Sequence, residues 1–141
     1  DMFGGYCFLN NAAIAAQWLR DNGIERVAIL DVDFHHGNGT QAMFWNQEGL
    51  IFCSTHQSAL YPGTGDTTET GIFGNIVNAP LPPSSGSIEF RKAMETVIFP
   101  ALRAFDPEFL LISAGFDAHA DDPLALRGVR PALRQPARDL S

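Results

Sequence analysis

The chain has 141 residues, 45% of them hydrophobic, with 11% aromatics and 13 glycines; this suits one compact α/β domain and argues against disorder. Its net charge of −7 is uneven: four of the nine Lys and Arg (Arg127, Arg130, Arg134, Arg138) lie in the last fifteen residues, and fifteen of the sixteen acidic residues precede them. An acidic body disfavours a nucleic-acid backbone and suits either plain solubility or a cationic amine substrate, no apolar run reaches the roughly 18 residues of a membrane span, and the opening DMFGG has no basic or apolar part of a signal peptide.

Strand and helix alternate along the chain. Asn10 or Asn11 caps a helix running to about Asp21, with Ala12, Ile14, Ala15, Trp18 and Leu19 as its apolar stripe, and Asn22-Gly23 stops it. Val27 to Leu30 is apolar on both faces and reads as a buried strand. A short helix from Thr40 to about Trp45 follows, then a strand from Leu50 to Thr55, a long Gly/Pro/Thr loop and a strand from Asn75 to Asn78. Ser87 is expected to cap a helix to about Phe105, kinked at Pro100. Phe109 to Ile112 reads as a second buried strand. This order implies an α/β fold of three αβα layers around a mostly parallel sheet. Cys7 and Cys53 sit in apolar strings and read as buried free thiols, which fits a reducing, cytoplasmic setting. Residues 127–141 form an atypical Arg/Pro-rich tail.

The chemistry concentrates in Asp31-Val32-Asp33-Phe34-His35-His36-Gly37-Asn38-Gly39-Thr40, at the carboxyl end of a buried strand, where open α/β sheets place their ligand sites. In extended backbone Asp31, Asp33 and His35 would face one crevice. With no basic neighbour in sequence, they call for a cation. The second buried strand ends in Ser113-Ala114-Gly115-Phe116-Asp117, and Asp117 joins Asp33 and His35 if the two strands are neighbours. Two carboxylates and one imidazole leave a coordination position open, as in catalytic zinc. His36 reads as packing or an outer hydrogen bond, His56 as structural with no evident partner, and His119 as a rim residue. Gly63-Thr64-Gly65 lacks the Lys-Ser/Thr ending of a phosphate loop.

DVDFHHGNGTQ, YPGTGD and SAGFDAHADDP, with the opening GGYCFLNNAAIAAQ, resemble the zinc-dependent histone deacetylases and acetylpolyamine amidohydrolases of the arginase-deacetylase fold, over roughly residues 3 to 125. The resemblance implies zinc on Asp33, His35 and Asp117. It implies a monovalent cation, potassium, on oxygens of Asp31, Asp33, His35, Ser54 and Thr55, the last through its backbone carbonyl. Asp31 would hydrogen-bond a catalytic histidine. Asn38 stands where other branches carry an Asp that orients the second histidine of a His-His pair. Gly5, Tyr6 and Tyr61 would line a substrate tunnel, and the substrate would be an acetylated lysine peptide or an acetylpolyamine.

By the same resemblance, residues 1–126 are the central part of a deacetylase domain, incomplete at both ends. The His-His pair and the carbonyl-polarising Tyr would lie outside this sequence. The expected activity is removal of acetyl groups from N-acetylated amines by metal-activated water, with this chain alone inactive. Two alternatives stand beside it: a non-catalytic fragment or pseudoenzyme that binds acyl-lysine, and an arginase-like ureohydrolase with two manganese ions. Oligomerisation is open.

Overall fold

A computed structural model of the chain describes residues 7–117. Helix α1 (Asn11–Asp21) starts where the Asn10 side chain accepts from the Ala13 N–H, as the capping rule requires. The same Asn10 donates to Thr40 Oγ1 at 2.8 Å and so fastens α1 to helix α2 (Asn38–Phe44). That helix begins two residues before its expected start at Thr40.

Strands β1 (Val27–Asp31), β2 (Leu50–Gln57), β3 (Ile76–Leu81) and β4 (Phe109–Ser113) form one sheet in the order β3-β2-β1-β4. Every neighbouring pair is parallel. Asp31 therefore stands level with Ser54 on one side and Ser113 on the other. Asn75 pins the corner, its Nδ2 donating to the carbonyls of Phe44 and Leu50.

Side chains alternate across the sheet, giving two cores. Val27, Ile29, Phe52 and Ile76 pack with Ala13, Ala16 and Phe44 of α1 and α2. On the other face Ala28, Leu30, Ile51 and Cys53 pack with Met94 and Ile98. The three-layer αβα expectation holds.

The segment read as one kinked helix has three parts: α3 (Ser87–Ala93), a π-turn (Met94–Ile98) and α4 (Phe99–Phe105). The ring of Pro100 would crowd the carbonyl of residue 96 in a regular helix. Widening the preceding turn, with the Phe99 N–H on the Met94 carbonyl, accommodates it. Gly86 rather than Ser87 occupies the N-cap position, and its N–H donates to the Glu89 carboxylate at 2.7 Å.

Two expectations are corrected. Strand β4 is not buried: Phe109, Leu110 and Ile112 are exposed, because among the described strands it pairs with β1 alone. Cys7 is also exposed, whereas Cys53 is buried as expected. No described helix is long and apolar enough to cross a membrane. Residues 127–141, with His119, lie outside the described residues.

Candidate metal centre

Strand β1 ends at Asp31, so simple alternation does not carry Asp33 and His35 to the crevice. The backbone turns, and each turn is held by a carboxylate. Asp31 Oδ1 accepts from the Asp33 N–H at 3.1 Å, and Asp33 Oδ1 accepts from the His35 N–H at 2.7 Å. From β4, Asp117 reaches across and accepts from the Phe34 N–H at 3.1 Å. The pairing of β1 with β4, conditional in the sequence, makes this possible.

The result is a compact group. Ligand atoms of Asp33, His35 and Asp117 all lie within 4.8 Å of one another. Nδ1 of His35 is 2.8 Å from Asp117 Oδ2 and 3.6 Å from Asp33 Oδ1. Asp31 is not part of this group. It lies deeper, only 4% exposed, supporting the turn from beneath.

Gly115 makes the approach possible. A Cβ there would collide with Asp33 Oδ2 and stand 3.2 Å from Asp117 Oδ1, so the carboxylates occupy space that only glycine leaves free.

Electrostatics point the same way. Burial, reinforced by the nearby Asp33 and Asp117 carboxylates, pushes Asp31 up to about 7. Burial and Asp117 also raise Asp33. Two carboxylates converge on one imidazole with a third carboxyl, Asp31, beneath them, and such a concentration of acidic groups is what a bound cation offsets. Two carboxylates and an imidazole are a donor set that zinc accepts, so the residues present fit the metal.

Ser54 and Thr55 are both buried. Ser54 is level with Asp31, and alternation puts both side chains on the α1/α2 face. Burial, with His36 beside it, lowers His56 to about 4, so its ring is neutral near pH 7. Its Nε2 faces the Gly65 carbonyl at 3.1 Å and its Nδ1 faces Ser54 Oγ at 2.9 Å. Nε2–H therefore donates and Nδ1 accepts the Ser54 hydroxyl. The serine oxygen keeps lone pairs free, which fits an alkali cation. Thr55 Oγ1 is buried without a partner.

His36 is buried, and that burial lowers its pKa from the usual histidine value. It faces Thr64 Oγ1 through Nδ1 at 2.7 Å and Gln41 Oε1 through Nε2 at 3.1 Å. It thus bonds two neighbours outside the Asp33, His35 and Asp117 group. Asn38 opens α2, and its N–H donates to the His36 carbonyl at 2.9 Å. Tyr61 is 48% exposed on the loop after β2, while Gly5 and Tyr6 lie outside the described residues.

Sequence reasoning missed Thr64, Glu69 and Gly115, and it missed the partners of His56. Gln41, Thr64 and Gly115 all fall inside the motifs DVDFHHGNGTQ, YPGTGD and SAGFDAHADDP. Nothing in spacing alone marks Glu69.

A parallel αβα sheet with two carboxylates and an imidazole grouped at the carboxyl end of adjacent strands defines an α/β domain with a candidate metal centre. More particularly, the chain belongs to the histone deacetylase domain family, whose model matches residues 1–134. It is 48% identical over 139 residues to a probable deacetylase of Archaeoglobus fulgidus, covering 93% of this chain and 39% of that protein. A histone deacetylase-like amidohydrolase of Pseudomonas aeruginosa is 40% identical over 130 residues, covering 89% and 34%. The crystal structure of the acetylpolyamine aminohydrolase from Burkholderia pseudomallei superposes with a TM-score of 0.81 at 39% identity, covering 92% of this chain and 38% of that one. The chain thus spans under two fifths of the length of these relatives. Family and fold agree with the resemblance that the motifs carry.

Proposed function

We propose that this chain is the metal-bearing part of a zinc-dependent amidohydrolase that removes acetyl groups from N-acetylated amines, either acetyl-lysine in proteins or acetylpolyamines. The observation that carries the reading is the convergence of Asp33, His35 and Asp117 within 4.8 Å. Zinc held there would polarise an amide carbonyl and bring the pKa of a water toward neutrality.

The chain's own residues do the holding. Asp33 and Asp117 supply anionic oxygens, His35 a neutral nitrogen, and Asp31 the buried support of the turn. Ser54, the Thr55 carbonyl and Asp31 would take a monovalent cation, potassium, that balances the remaining charge. An exposed Tyr61, with Gly5 and Tyr6, would flank the aliphatic stem of the substrate, and Asn38 would steady a histidine supplied by the rest of the protein. The acidic surface favours an amine over an anionic partner.

The test is a zinc titration of the metal-stripped chain by calorimetry with metal analysis. One zinc per chain is expected. His35→Ala and Asp33→Asn should each weaken binding by more than the roughly 10–100-fold that losing an outer partner costs. Two manganese ions per chain, or zinc binding indifferent to His35→Ala, would sink the reading in favour of a ureohydrolase-like centre or a non-catalytic binder. Proton-transfer groups contribute roughly 10²–10⁴-fold in rate. By the resemblance these groups would lie outside this sequence, and the 141-residue chain is expected to hydrolyse an acetyl-lysine peptide negligibly.

A further inference from the structure

A continuous chain of side chains ties the loop carrying Tyr61 to the turn carrying His35. It begins at Glu69, whose carboxylate accepts from three N–H groups: Gln41 Nε2, the Gly65 backbone at 3.1 Å and the Asp66 backbone at 3.2 Å. A carboxylate facing three donors fixes the amide of Gln41 with its nitrogen toward Glu69. The amide oxygen then points the other way. It accepts from Asn78 Nδ2 at 2.7 Å and lies 3.1 Å from His36 Nε2.

An amide oxygen cannot donate, so the proton of His36 must sit on Nε2. With that proton on Nε2, Nδ1 is the ring nitrogen that faces the hydroxyl of Thr64, at 2.7 Å. Thr64 lies three residues from Tyr61, and its neighbour Gly65 is held by His56 through its carbonyl. Gly65 has φ +92, and a Cβ there would collide with the His56 ring and stand 2.8 Å from His36. Loop and turn are therefore in direct contact as well as bonded.

We propose that Glu69 is a positioning residue: through Gln41 it sets the proton of His36 on Nε2, and it clamps the Tyr61 loop onto the metal-bearing turn. The meaning of this for substrate rests on the proposed function, whereas the tautomer and the clamp do not.

The experiment uses the full chain labelled with 15N in its histidines, at neutral pH, with His36 assigned by substitution. His36 should show a protonated Nε2 and a bare Nδ1. In Glu69→Gln the amide of Gln41 loses its fixed orientation, so His36 should become a mixture of tautomers. The Gly65 and Asp66 amides, deprived of a charged acceptor, should exchange roughly tenfold faster or more.

Gln41→Met gives an independent arm, because it removes the acceptor at Nε2 and should move the proton to Nδ1, facing Thr64. Thr64→Val, at an exposed position, should leave the proton on Nε2. A wild-type His36 protonated on Nδ1 alone overturns the proposal. So does a folded Glu69→Gln or Gln41→Met chain with an unchanged His36 spectrum. Zinc titration of the same samples separates the two ideas. The predicted His36 signature without zinc binding supports the clamp and counts against the proposed function. Normal zinc binding with an unresponsive His36 overturns the clamp alone.

Discussion

At the scale of single residues, the site depends on a missing side chain as much as on those present. Gly115→Ala would drive a methyl group into the Asp33 carboxylate, which has nowhere else to go while bonded to the His35 N–H. We expect this substitution to weaken zinc binding by about 10–100-fold, in the range of outer-shell losses. Thermal unfolding of the metal-free chain, run beside the zinc titration, separates this from general damage. Equal affinity in the two chains would mean that Asp33 is not a ligand. The two thiols offer a simpler check. Burial pushes Cys53 up to about 12, so only Cys7, which is exposed, should react with an alkylating reagent before unfolding.

The grouping of Asp33, His35 and Asp117 was legible in the sequence because two apolar strands each end in an acidic motif, although the turns that bring them together were not. Their support was not. That Asp31 sits beneath the turn rather than beside its neighbours depends on where β1 stops, which alternation does not specify. Glu69 was invisible because its partners are 28 residues away at Gln41 and in the backbone of its own loop.

At the scale of elements, the sequence pattern placed α1 and the strands β1, β2 and β3 well, since each buries a recognisable apolar pattern. It misjudged β4, whose Phe-Leu-Leu-Ile string reads as interior but lies at an edge of the described sheet. Burial follows from neighbours, not from hydrophobicity alone. The foot of that strand is held by Glu108, whose carboxylate accepts from the Glu25 and Arg26 N–H groups at 2.6 and 3.0 Å. These bonds hold Glu108 below the usual glutamate value of 4.5. A carboxyl with a depressed folded pKa stabilises above its unfolded pKa, and the effect fades as pH falls through the folded value. The Glu25 and Arg26 amides should therefore lose protection below about pH 4.5. Glu108→Gln should lose that pH dependence. Protection with the same acid dependence in the wild-type and Glu108→Gln chains would show the contact to be unimportant.

At the scale of the whole molecule, the apolar edge that β4 forms among the described residues is the main liability. Unpaired strands with apolar side chains template association. The isolated chain should scatter light increasingly with concentration, and Ile112→Lys, at a position 61% exposed, should reduce this with little change in Tm. If Ile112→Lys unfolds the chain instead, the exposure of this residue is not what it looks like.

The sheet order has a further consequence, in time rather than space. The central strand β1 lies between β2, which follows it closely, and β4, which arrives only after β3 and the whole of α3 and α4. Asp117 bonds Phe34 and His35 across 83 and 82 residues. Asp33 and His35 are thus in place early and Asp117 joins them late, so closing a long loop must precede the grouping of all three. Until β4 docks on β1, a chain emerging from the ribosome would hold Asp33 and His35 without Asp117. The grouping of the three side chains would then report that β4 has paired with β1.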